Sequence, residues 1–327
     1  MGMDWRRSLV IQILAIGLVC FAGYAITSRF ASNTTIPVHD VTSACPSQTN
    51  ELPESSLIRD WWANSAVAMR AVYAASLAKR GFEGPRGLFE GPDGLERMFG
   101  QSIPVDWDDP SLEIVNQTVL KKYCSLIHGQ PVLEAVLDLK RGNGLVAANI
   151  KRVHCDVFQG AFDFAGGGRY GSKDHPQAKE QADYNLKYLI AVALLDDQVG
   201  PAQLQPARIQ APDAQALLAR VEVRPDERFT ARYPRELSAL ITIYTKDKRI
   251  LVKEQLGYEG GLTNPMSWDR AVQKFQWLSE PFADQDLRTR LIEAVQQLAE
   301  RPISGLTDLL GQVRPAAVFP ATHPGIQ

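Results

Sequence analysis

The chain has 327 residues, 45% of them hydrophobic and 22% charged, with a formal net charge of −2. That length suits about two domains, and the composition excludes extended disorder. The near-neutral balance, with no Lys/Arg-rich stretch among aromatics, argues against nucleic acid as a partner, yet leaves room for a local cationic pocket that takes an acidic metabolite.

Cys20, Cys45, Cys124 and Cys155 form no C-x-x-C pair, and the histidines at 39, 128, 154, 175 and 323 form no H-x-x-x-H pair. Metal and iron–sulfur spacing are therefore absent, and no cofactor is expected. Nor is a disulfide scaffold indicated, which fits a reduced, cytoplasmic setting.

In chain order, residues 1–30 hold an apolar run, LVIQILAIGLVCFAGYAI at 9–26, preceded by Arg6 and Arg7. It is near the ~20 residues a membrane span needs. It reads as an N-terminal anchor or signal peptide with its amino end inside, or as a buried helix of a helical domain. Residues 31–56, rich in Ser, Thr and Asn with Pro37, Pro46 and Pro53, read as a linker.

Helical periodicity over 57–80 ends at Gly81, and a Gly/Pro loop spans 81–94 ahead of a short helix at Leu95–Phe99. The stretch 121–139 starts extended and turns helical after Pro131, which suits a first turn. A strand is expected within 145–158, a strongly apolar helix at 182–196, and strands at 217–223, 236–244 and 249–256. Amphipathic helices follow at 267–278 and 285–300. Strands in the middle with helices at both ends predict an α+β fold, in which a partial helical domain (57–116 and 259–312) carries an α+β lid domain (117–258), followed by a tail at 313–327.

Five stretches in order resemble the MmgE/PrpD family of 2-methylcitrate dehydratase-like proteins. They are AMRAVYAASLAKRGFEGPRGLFEGPDGLERMFG (68–100), LKKYCSLIHGQPVLEAVLDL (120–139), KEQADYNLKYLIAVALLDDQV (179–199), the hairpin around 236–257, and GLTNPMSWDRAVQKF (261–275). The resemblance covers the C-terminal portion of that family. Its long helical N-terminal region, which supplies acidic and histidine residues to the active site, has no counterpart before residue 57. Three further departures stand out: Asp60, beside Arg59, where the family has a lysine, Cys124 in place of a proline, and Asp197 in place of a glycine.

The resemblance implies a hydro-lyase that dehydrates a hydroxy-tricarboxylate such as 2-methylcitrate, acts as a homodimer, and works without a metal. Such chemistry needs a base beside a carboxylate, an acid for the leaving hydroxide, and cations for the carboxylates. Lys121 and His128 match the family's cleft segment and Tyr188 its S-L-x-Y tyrosine, so these three are the expected catalytic residues. Lys122, Gln130 and Arg169 are the expected substrate contacts. Plainer readings stand beside them: a solvated lysine pair, a loop histidine, a core tyrosine and an exposed loop arginine. Other functions also stay open, namely a decarboxylase of cis-aconitate, a non-catalytic remnant, half of a split enzyme, and a membrane-tethered binding protein.

Overall fold

The computed structural model describes residues 67, 69–84, 87–102, 118–169 and 171–314. The apolar run at 9–26, the linker, Arg59, Asp60, Cys20, Cys45 and the tail from 315 lie outside the described residues. The described residues fall into two compact units, one holding 67–102 and the other 118–314.

In the smaller unit a helix covers 69–79 (α1), and Gly81 at φ 88° follows its last turn. Its Gly/Pro loop closes on itself through Gly91 N–H to Gly87 O at 2.9 Å and Gly94 N–H to Gly91 O at 2.8 Å. A Cβ on Gly91 would sit 2.3 Å from the Gly87 carbonyl, so the loop requires glycine there. Helix α2, Leu95–Phe99, follows.

The larger unit is built around a four-stranded sheet of order β2-β1-β3-β4, with β1 Ile150–Val157, β2 Val221–Pro225, β3 Ser238–Thr245 and β4 Ile250–Leu256. β1 runs parallel to β2 and antiparallel to β3, and β3 forms a hairpin with β4. Alternation fixes the faces. Val153, Cys155 and Val157 lie level with Ile243, Ile241 and Ala239, and all six are buried. Helix α3, Gln130–Gly142, packs on β3 and β4, while α4, Leu186–Asp196, packs on α3 and β2. Helix α4 buries Leu186 and the whole run Tyr188–Leu194, as a helix apolar on every side must.

Connections around β2 depart from the sequence pattern. Leu217 and Leu218, expected in a strand, end helix α5 (Pro212–Leu218), and the strand begins at Val221. Pro212 supplies the first helical turn and Asp213 an acidic residue beside it, cues that outweigh the short apolar run. Helix α6, Glu227–Arg232, had no sequence signal beyond its Asp226 cap. The last three helices are α7 (Trp268–Ser279), α8 (Gln285–Gln296) and α9 (Ile303–Leu310). They share a separate core of Phe275, Ala283, Leu287, Leu291, Val295 and Leu306. Helix and sheet combine as the α+β expectation requires.

Candidate functional site

Residues 118–130 form an irregular strap that ends at α3 and is tied to distant parts of the unit. Leu120 N–H donates to Gly260 O at 2.8 Å, Cys124 N–H to Val199 O at 3.1 Å, and Leu126 N–H to Asp183 O at 3.1 Å. Gly260 has φ 109°, and a Cβ there would meet the Leu120 carbonyl at 2.2 Å, so only glycine permits the first tie.

Gln130 was expected to touch substrate. Its amide is instead wholly buried and fully engaged: Oε1 accepts from Lys122 N at 2.8 Å and Tyr123 N at 3.0 Å, while Nε2 donates to Tyr123 O at 3.1 Å and Ser125 Oγ at 2.8 Å. A strap without regular structure needs partners for its buried peptide groups, and this side chain supplies them. Lys122 is likewise turned inward. Its ammonium lies 3.0 Å from Glu134 and 2.8 Å from Glu259, and Glu259 also pairs with Arg270 at 3.0 Å. Burial works against the charge on Lys122, but the fields of Tyr123, Glu259 and Glu134 outweigh it and raise its pKa. A cation so committed closes the strap rather than offering itself to an anion.

Tyr188 is likewise turned inward. It is fully buried on α4, and its hydroxyl donates to the Gln203 carbonyl. A buried tyrosine on an apolar helix needs a partner for its hydroxyl, and the main chain supplies it here.

Lys121 and His128 are placed differently from these. Lys121 is exposed and pairs with no carboxylate among the described residues. Its carbonyl accepts a hydrogen bond from the Lys274 ammonium, delivered from α7. His128 lies in a short 3-10 turn, Ile127–Gly129, against a wall of aromatic rings. Its ring centroid is 5.0 Å from that of Phe158, 6.0 Å from Phe164 and 6.2 Å from Tyr233. Phe158 and Tyr233 stack at 4.4 Å. Nδ1 of His128 is buried and has no hydrogen-bond partner among the described residues. Burial alone lowers the pKa of this imidazole, so it is neutral at pH 7, and no neighbouring charge contributes. Lys121, Lys122 and His128 thus share a strap but face different neighbours.

Arg169 stands exposed just beyond a π turn, Phe162–Gly166, whose Phe164 contributes to the His128 wall. Gly167 at φ 104° turns the chain between them. Sequence reasoning passed over Lys274 and the aromatic wall. Lys274 stood inside the N-P-M-S-W…K-F stretch, but a motif lysine gives no hint of which carbonyl it will reach.

A hollow of about 10 Å³ beside Lys122, Tyr123, Asp197 and Trp277 has room for one water, so it cannot admit a tricarboxylate. The candidate groups are therefore two separate ones on the strap: Lys121 with Lys274 on its carbonyl, and His128 against its aromatic wall. Among the described residues no group of His, Cys, Asp or Glu could hold a metal ion, and no helix is long and apolar enough to cross a membrane. The family model of the MmgE/PrpD C-terminal domain matches residues 123–300. No curated protein matches the chain.

Proposed function

Since the chain belongs to the MmgE/PrpD family through its C-terminal domain, we propose that it serves hydro-lyase chemistry on a hydroxy-polycarboxylate of the 2-methylcitrate type. The supporting observation is the His128 imidazole, neutral, with a buried nitrogen that no described residue satisfies. In such a dehydration the imidazole takes the proton from the carbon next to a carboxylate. The electron pair forms the double bond, and the C–O bond breaks as hydroxide leaves with a proton from a second donor. Burial alone acts on His128, so the acid that protonates the departing hydroxide is a separate group from those that set the imidazole's charge state. The lid role of 117–258, the helical body around it and a homodimeric state form part of this proposal.

A non-catalytic polycarboxylate-binding protein is the second reading. Tyr188, one of the three expected catalytic residues, already spends its hydroxyl inside the protein, which favours it. A spectrophotometric assay of the full chain with 2-methylcitrate, following the unsaturated product, separates the two. Formation of product at a rate below about 1 per second, abolished by His128→Gln, is expected. Fast turnover indifferent to that change overturns the site, and binding without any turnover establishes the second reading.

A further inference from the structure

The rings packed around His128 come from three separate segments: Phe158 directly after β1, Phe164 in the π turn Phe162–Gly166, and Tyr233 directly after α6. Backbone ties set where each of them stands. Asp226 N–H donates to Val157 O at 2.8 Å and Gln159 N–H to Thr230 Oγ1 at 3.0 Å, which brings the α6 segment and its Tyr233 onto Phe158. Gly168 N–H closes the π turn on Phe162 O at 3.1 Å. Phe158 is buried, whereas Phe164 and Tyr233 leave 38% and 45% of their surface exposed. Among the described residues the rings packed on this imidazole bring no charge with them, and burial alone acts on it. Aromatic faces carry negative potential, so a carboxylate laid against these rings loses water and finds no cation among them. An alkyl group gains there by leaving water.

We propose that Phe164 and Tyr233 form a subsite beside His128 for an alkyl group of the ligand, and so select alkyl-bearing polycarboxylates over unsubstituted ones. This rests on the polycarboxylate reading given above and names which members of that class the chain takes. Tyr233 stacks on the buried Phe158 at 4.4 Å, which holds the outer ring in place before a ligand arrives. The contact is made by ring surface, so the Tyr233 hydroxyl has no part in it. Both rings stay partly open to solvent, so each added carbon gains about two- to three-fold in affinity, against about four-fold for full burial.

The test is a binding series on the full chain by calorimetry, with citrate, 2-methylcitrate and 2-ethylcitrate, without reference to turnover. Affinity should rise about two-fold or more with each added carbon. Phe164→Ala and Tyr233→Ala should flatten that rise while leaving citrate affinity within about two-fold of the wild type, and Tyr233→Phe should keep the rise. Because an alanine variant could disturb its segment, a second measurement uses the wild type. The methyl protons of bound 2-methylcitrate should show nuclear Overhauser contacts to the ring protons of Phe164 and Tyr233. A rise that both alanine variants retain overturns the subsite, as does a bound methyl group in contact with neither ring. A flat series with citrate bound removes the subsite and leaves the polycarboxylate reading standing. If that flat series comes with loss of self-association in Tyr233→Ala, the rings are a contact between copies of the chain. Binding of none of the three removes the polycarboxylate reading and the subsite with it. A rising series without turnover keeps the subsite and removes the lyase reading alone.

Discussion

The side chain of Gln130 grips the peptide groups of Tyr123 from both sides, accepting its N–H at 3.0 Å and donating to its carbonyl at 3.1 Å. The same Oε1 also takes the N–H of Lys122 at 2.8 Å. Gln130→Ala therefore strands several buried polar groups at once. Each unsatisfied group costs about 1–3 kcal/mol, so a loss of at least ~2 kcal/mol in urea unfolding is expected. Gln130→Glu should not restore it, since the carboxylate cannot donate to Tyr123 O or Ser125 Oγ. A variant as stable as the wild type would show that the strap does not depend on this amide.

The tie between Lys122 and Glu259 predicts a pH dependence with a definite sign. Burial pushes the Glu259 carboxyl up, but the hydrogen bond and charge of Lys122, aided by Arg270, bring its pKa below the ordinary value. A group lowered on folding adds stability above its unfolded pKa and loses it as pH falls through the folded one. This contribution is therefore present at neutral pH and lost below about 4.5. Lys122→Met should cost roughly 1–3 kcal/mol at pH 7, between the values for exposed and buried pairs. In a series of unfolding curves the difference between the two proteins should shrink as pH falls through the lowered pKa of Glu259. A difference that does not shrink even in acid strong enough to protonate Glu259 would rule out the ion pair as its source.

Tyr188→Phe separates a core role from a catalytic one. The change leaves the Gln203 carbonyl without its donor, at a cost of about 1–2 kcal/mol by thermal or urea unfolding. Citrate affinity should stay within two-fold of the wild type (roughly, on the scale where ten-fold is 1.4 kcal/mol). A large loss of affinity with no loss of stability would return Tyr188 to the site.

Asp197 occupies a left-handed backbone position at φ 60°, closing α4, and its carboxylate pairs with Arg141 at 3.2 Å. Glycine suits that conformation best, but the aspartate gains an ion pair that glycine lacks, at an exposed site where such pairs contribute little. Asp197→Gly should therefore lie within about 1 kcal/mol of the wild type. Asp197→Ala, which keeps the strain and drops the pair, should be the least stable of the three by about 1 kcal/mol relative to glycine. Equal stability of the alanine and glycine variants would refute the account.

The sequence by itself determined the elements with strong periodicity and the family. The all-round apolar run at 186–196 could only be a central helix, and the alternating segments at 150–157 and 238–256 could only be half-buried strands. The five motif stretches led to the same family as the match over 123–300. Weak local signals failed where competing cues were close in strength, as at Leu217 and Leu218. The site was less legible. Lys121 and Lys122 are neighbours of the same type, yet one faces solvent and the other is sealed by Glu134 and Glu259, residues 12 and 137 positions further along the chain. Which lysine stays available was settled only when α3 and the 258–260 turn met the strap. Gln130 became a strut, Tyr188 a core group and Lys274 a neighbour of Lys121 for the same reason. A side chain's chemistry is local, but its partners come from whichever distant segments the packing of α3, α4 and α7 brings to it.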